Sequence, residues 1–299
     1  MLKAFVQAAR LRTLPLAIAS ISAGAVLANY FYEHNWLITG LAFITAILLQ
    51  ILSNFANDYG DYKKGTDEAR TDRALASGKI SEHQMRNALI VTSSLTLLSG
   101  VALLWFAFDK IERQFLALFL IGLISIAAAI KYTAGKNPYG YSTLGDLAVF
   151  VFFGLVAVLG TYYLHSVKLD HGFYQSLLPA CSLGLLATGV LNINNIRDIE
   201  GDLGNGKITL AVKLGKKNAE VYQLLLNVTA VGLLVYFVRL NTAHGGLLIA
   251  IVGLLFIAHW IVLRGLQNIE TQRANYNKLL KTHVLLTLLM VLTLAFILT

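Results

Sequence analysis

The sequence is short of charge and almost without cysteine. Charged residues fill 13% of its 299 positions, where a soluble chain of this length carries about 25%. The single cysteine, Cys181, can form no internal disulfide, so it reads as a small residue inside an apolar run. No stretch alternates with the period of a barrel strand, which argues against an outer-membrane barrel. The histidines, His34, His83, His165, His171, His244, His259 and His283, keep no metal-ligand spacing and suggest no catalytic triad.

What the chain does have is apolar length. Hydrophobic residues make up 57% of it, and the mean hydropathy is +0.65. Nearly uncharged runs of roughly 17–25 residues, enough to cross a bilayer, recur from end to end. They predict nine membrane helices near Leu14–Tyr32, Trp36–Asn57, Ala88–Phe108, Phe115–Tyr132, Thr143–His165, Phe173–Ile196, Val221–Val238, Gly246–Leu263 and Thr282–Leu298. The expected fold class is all-α, a polytopic membrane protein with one domain over residues 1–299 and the lipid bilayer as its partner. The opening MLKAFVQAARLRTLP is basic and then apolar, as a signal peptide is. Its apolar run is long enough to span and eight more follow, so it reads as an uncleaved first helix.

A net charge of +8 raises the question of nucleic acid, but the positions of the basic residues answer it differently. On a nine-span reading, the side holding the N-terminus takes 20 of the Lys and Arg residues. The opposite side keeps 4: Lys110, Arg113, Lys168 and Arg239. The positive-inside rule then places the N-terminus in the cytoplasm and the C-terminus outside a cell membrane. The basic excess is topology.

Two cytoplasmic loops, Asp58–Asn87 and Arg197–Glu220, are long and rich in both signs of charge. They follow the second and sixth spans, so four helices separate them and their orientation is the same. Each repeats a local order: Asn and Asp residues, a glycine turn, then a Gly-Lys pair, as in RALASGKIS and TLAVKLGKK. This is a weak parallel repeat. Residues three or four apart share a helix face. Asn54 with Asp58, Asn57 with Asp61, and Asp58 with Asp61 are so spaced, as are Asn194 with Asp198 and Asp198 with Asp202. Carboxylates crowded on one face favour bound cations or raised pKa values. Magnesium suits them, because it is held by one or two carboxylates together with substrate phosphates.

The bland alternative, solvated helix ends with Asp serving the turns, weakens once a second ladder stands at the equivalent point. Around the ladders lie Lys63, Lys64, Arg70, Arg73, Arg197 and Lys207, cations able to hold the outer oxygens of a phosphate. For most of them positive-inside bias is sufficient explanation. Arg73 and Lys207 stand apart, each in a glycine-punctuated loop just after a ladder. A phosphate-bearing ligand met by membrane helices suggests a lipid diphosphate, whose ionisation gives an allylic cation that a water-poor site protects.

NDYGDYKKGTD (Asn57–Asp67) and DIEGD (Asp198–Asp202) resemble the two Asp-rich motifs of the UbiA superfamily of intramembrane aromatic prenyltransferases. ARLRTLPLA (Ala9–Ala17), KYTAGKNPYGYSTLGDLAVFVFFG (Lys131–Gly154) and NNIRDIEGDLGNGKITLAVKLG (Asn194–Gly215) resemble its 1,4-dihydroxy-2-naphthoate polyprenyltransferase branch. The resemblance implies a UbiA-type bundle that transfers a polyprenyl group from a polyprenyl diphosphate to 1,4-dihydroxy-2-naphthoate with loss of carbon dioxide. It implies Asp58, Asp61, Asp67, Asp198 and Asp202 as Mg2+ ligands and Lys207 as a further catalytic residue, with Asn54, Asn57, Lys63, Arg73, Asn194 and Arg197 around the substrate. The first motif departs from the superfamily's usual spacing, because Gly65 stands where its last Asp belongs and the next acid is Asp67.

The acceptor's carboxylate wants a cation and aromatic neighbours. Lys131, Tyr132, Lys136, Tyr139 and Tyr141 are candidates, as are Arg10 and Arg12, while interfacial tyrosines also occur for their own sake. Asp146, just inside the fifth span, either orients a substrate hydroxyl or a lysine, or serves as an N-terminal helix charge. The rivals are an enzyme acting on 4-hydroxybenzoate, haem or a chlorin, and a cation-coupled transporter. The transporter would place its acids nearer the bilayer midplane.

Overall fold

The computed structural model describes residues 1–66, 73–243, 245–265 and 272–299, and its regular structure there is entirely helical. The helices are α1 Leu2–Ala8, α2 Leu14–Phe31, α3 Trp36–Lys63, α4 Glu82–Ala107, α5 Arg113–Lys131, α6 Leu144–Val149, α7 Gly160–Ser166, α8 His171–Gln175, α9 Leu177–Arg197, α10 Ile199–Gly204, α11 Leu210–Asn241, α12 Gly246–Gly265 and α13 Gln272–Leu298. A π-helical stretch, Phe150–Leu159, joins α6 to α7. Among the described residues, eight helices are long and apolar enough to cross a membrane, and Gly246–Ala258 is a shorter apolar one.

Several helices begin earlier or end later than hydropathy predicts, because polar caps rather than apolar runs set their limits. Asn35 accepts from the backbone N–H groups of Leu37 and Ile38 and starts α3 at Trp36, where hydropathy also places it. A reciprocal pair between Ser81 and Gln84 starts α4 at Glu82, ahead of the expected Ala88. Thr209 caps α11 at Leu210, well before the expected Val221, and Gly215 at φ 74° kinks that helix. The far end of α3 runs past Asn57 to Lys63, since the acids there find cationic partners.

The chain divides into two compact units, 1–18 with 35–142, and 19–34 with 143–299. In the first, α3 packs on α4 and α5. Short α1 lies against the end of α3, where Ala4, Ala8 and Ala9 meet Phe55, Leu75, Ile80 and Met85 in a small core. In the second, α9 is central and packs against α11, α13 and the π-helical stretch. The crossing with that stretch is backbone to backbone: a Cβ on Gly154 would lie 2.6 Å from the Ala180 carbonyl oxygen and 2.7 Å from Gly184 Cα. Small residues permit such close approach in lipid. Leu27, Tyr162, Leu183, Leu234 and Phe237 fill the core behind it.

Candidate active site

The last turns of α3 gather the first acidic ladder. Asp58 is 2% exposed. Its Oδ1 accepts from Arg10 Nη2 at 2.5 Å and Arg73 Nη1 at 2.8 Å. Arg10 also donates to Asn57 Oδ1. It does so from a left-handed backbone conformation, φ 48° and ψ 58°, at the break between α1 and the turn before α2. That geometry is unfavourable for a residue with a Cβ, and such positions persist where the surroundings over-determine them. Asn54, also buried, donates to the Ala9 carbonyl at 2.8 Å and to Thr13 Oγ1 at 3.0 Å. Its amide thus ties down the strap that carries Arg10.

Asp61 accepts from Tyr141 Oη at 2.7 Å, and Arg73 Nη2 stands 4.0 Å from its other oxygen. Thr66 Oγ1 lies 3.1 Å from Tyr141 Oη, and Lys64 Nζ sits 4.3 Å from the centre of the Tyr141 ring. The loop bearing Tyr141 reaches Asp61 because Gly60 has no side chain. A Cβ there would fall 2.4 Å from the Thr133 carbonyl oxygen. Tyr139 stacks edge-on against Tyr132 and donates to the Ala128 carbonyl at 2.8 Å. Burial pushes its phenol up to about 12, so it is a neutral donor at any physiological pH.

In the second ladder, in the other unit, each acid meets a cation close in sequence. Arg197 grips Asp198 with two bonds, Nε to Oδ1 at 2.9 Å and Nη2 to Oδ2 at 2.5 Å. The same guanidinium donates to Asn194 Oδ1 and Asn277 Oδ1. Lys207 Nζ lies 3.2 Å from Asp202 Oδ1, and its backbone N–H closes the turn onto the Asp202 carbonyl at 2.8 Å. The ladder is not one continuous helix face as the spacing predicts: α9 ends at Arg197, and Asp198 (φ −105°, ψ 10°) is the joint to α10.

Four expected residues stand apart from the ladders. Lys63 pairs with Glu82 at 2.6 Å on the surface. Arg12, Lys131 and Lys136 are exposed. Asp67 and Arg70 lie outside the described residues.

Each helix end therefore offers two carboxylates, with arginine or lysine already against them, on a chain of membrane-length helices. The family model of the UbiA prenyltransferase family matches residues 17–286. The chain belongs to the UbiA prenyltransferase family. It is 46% identical over 243 residues to the 1,4-dihydroxy-2-naphthoate octaprenyltransferase of Haemophilus influenzae, covering 79% of this chain and 78% of that one. To the Escherichia coli protein of the same name it is 47% identical over 227 residues, covering 75% and 72%. Its fold matches a UbiA homologue from Archaeoglobus fulgidus bound to GPP and Mg2+ at TM-score 0.69 and 15% identity, over 99% of each chain.

Taken one unit at a time, each pair of motif carboxylates offers oxygen donors of the kind that suit a hard divalent cation. All four motif acids present carboxylate oxygens, the donor type magnesium takes alongside substrate phosphates. Arg10, Arg73, Arg197 and Lys207 balance these acids. Gly60 shows itself in sequence only through the tight DYGDY spacing, and nothing local separates Tyr141 from its neighbouring tyrosines. Nothing local could have paired Arg10 with an acid 48 positions away.

Proposed function

We propose that this protein transfers a polyprenyl group from a polyprenyl diphosphate to 1,4-dihydroxy-2-naphthoate, releasing diphosphate and carbon dioxide and yielding demethylmenaquinol. The observation that carries the reading is 46% identity across most of the chain to a relative named for that reaction, with both acidic motifs present. Asp58 and Asp61 in one unit, and Asp198 and Asp202 in the other, hold Mg2+; Asp67 is a further candidate ligand. When bound, the metal neutralises charge growing on the departing diphosphate.

This chain's own cations do the rest of the phosphate recognition. Arg10, Arg73, Arg197 and Lys207 exchange their carboxylate partners for phosphate oxygens as the ligand arrives, since each guanidinium or ammonium already sits at the acids. Asn57 and Asn194 keep those cations aimed. Tyr141 fixes the rotamer of Asp61 and Asn54 fixes the strap. Lys131, with Tyr132 and Tyr139 beside it, meets the acceptor's carboxylate. The N-terminus and both Asp-rich loops face the cytoplasm and the C-terminus faces outward, as the distribution of basic residues supports.

The test uses purified protein, magnesium, a polyprenyl diphosphate and dihydroxynaphthoate labelled in its carboxyl carbon. One labelled carbon dioxide per prenylated product is expected. Label retained in the product would exclude the naphthoate reaction while leaving aromatic prenylation intact. In the same assay Lys207→Ala should raise the KM for the diphosphate more than that for the acid, and Lys131→Ala should do the reverse.

A further inference from the structure

Asp146 is a buried acid that the reading above leaves without work. It lies in the first turn of α6, inside the apolar segment Leu144–Ser166, and is 6% exposed. Among the described residues its Oδ1 is buried and accepts no hydrogen bond. The surrounding contacts hold its backbone: Thr188 Oγ1 of α9 donates to the Asp146 carbonyl oxygen at 3.3 Å. No arginine, lysine or histidine pairs with it among the described residues, in contrast to Asp198 and Asp202 of the same unit.

A helix N-terminus favours a nearby carboxylate only weakly, whereas desolvating one without a partner is expensive. A charge retained at that depth marks a functional position by default. The vacant valence also names its ligand class. A carboxylate oxygen only accepts, so it attracts a hydroxyl and repels another carboxylate. Its depth follows from its contact: Thr188 precedes Asp198 by ten residues of α9, roughly 15 Å of rise. Asp146 is therefore placed within the span, away from the acidic end of α9 in the same unit.

Resting on the naphthoate reading, we propose that Asp146 accepts the acceptor hydroxyl adjacent to the reacting carbon and takes its proton during alkylation. As the ring carbon bonds to the allylic carbon, the carbon–oxygen bond to diphosphate breaks and diphosphate leaves with the electron pair. The hydroxyl becomes a ketone and its proton passes to Asp146. Carbon dioxide then leaves, its bonding pair returns to the ring through the ketone, and the ketone oxygen recovers the proton from Asp146. No proton is gained or lost overall, and no oxidant is needed.

The experiment compares wild type, Asp146→Asn and Asp146→Glu on dihydroxynaphthoate and on the same acid with the hydroxyl next to the carboxylate methylated. Asp146→Asn should lose about 100- to 10,000-fold in kcat on the free hydroxyl, the range of a lost general base. Binding of geranyl diphosphate with magnesium should stay within twofold, and the thermal midpoint should not fall. Asp146→Glu should recover part of the rate. Wild type should be slow on the methylated acceptor, and Asp146→Asn no slower, so the two losses should not multiply. Multiplying losses, or a rate within threefold of wild type for Asp146→Asn, would overturn the proposal. So would equal wild-type rates on the two acceptors, a measurement that needs no folded variant. Failure of the naphthoate reading itself appears separately, as wild type forming no product from dihydroxynaphthoate.

Discussion

The two acidic helix ends share a residue grammar and differ in who answers it. Asp58 is neutralised from afar, by Arg10 and Arg73 at 48 and 15 positions' separation, and Asp61 accepts a hydrogen bond from Tyr141, 80 positions on. Asp198 and Asp202 are answered from one and five positions away. The first end is assembled by tertiary packing of the strap, the loop after α3 and the loop after α5. The second draws its charged partners from nearer in the chain, Arg197 and Lys207, with Asn277 of α13 reaching Arg197. A repeat in sequence therefore need not be a repeat in how a site is stabilised.

The strongest way to break this comparison is to remove the acids themselves. Asp58→Ala, Asp61→Ala, Asp198→Ala and Asp202→Ala should each lower prenyl transfer by a hundredfold or more, matching several kcal/mol of lost transition-state stabilisation. Product formation by correctly folded protein measures it, and near-wild-type turnover in any one would remove that residue from the set of required ligands. Stability should then separate the ends. Replacing both Arg10 and Arg73 with Ala strands the buried Asp58 carboxylate and should cost about 3–5 kcal/mol. Arg197→Ala should cost about 1–2 kcal/mol, because Asp198 is at a helix joint and can turn toward water. Equal falls in thermal midpoint for the two proteins would contradict the distinction.

Smaller effects sharpen it further. Tyr141→Phe deletes one bond to a carboxylate and should raise the KM for diphosphate about tenfold, the equivalent of roughly 1.5 kcal/mol. The same substitution at Tyr139, whose hydroxyl meets a backbone carbonyl, should leave that KM nearly unchanged. Lys63→Ala should alter turnover less than twofold and stability within about 0.5 kcal/mol, since its ammonium pairs with Glu82 at the surface. A large loss of activity there would return Lys63 to the site.

How much was legible follows from the same contrast. Membrane helices announce themselves by apolar length, so the start of α3 at Trp36 and the end of α13 at Leu298 coincide with the hydropathy reading. Caps written in three or four residues, such as Ser81 with Gln84, were equally present in the sequence but carry less weight than a long apolar run. The pairing of Arg197 with Asp198 is local and almost readable. The pairing of Arg10 with Asp58 depends on α1 folding back over α3 through Asn54, which no spacing rule contains. Periodicity assumes an unbroken helix, so the break at Asp198 leaves no trace in the spacing.

The lone cysteine has a practical consequence. Cys181 sits partly buried in α9, between two helices' worth of apolar chain, and forms no bond that folding requires. Replacing it with alanine gives a chain with no thiol at all. Single cysteines returned at the polar ends, beside Lys110 or Lys168 on one expected side and Lys79 or Lys216 on the other, then become the only targets for a membrane-impermeant maleimide. Labelling of one pair in intact cells and of the other only after lysis would draw the chain's path across the bilayer one crossing at a time.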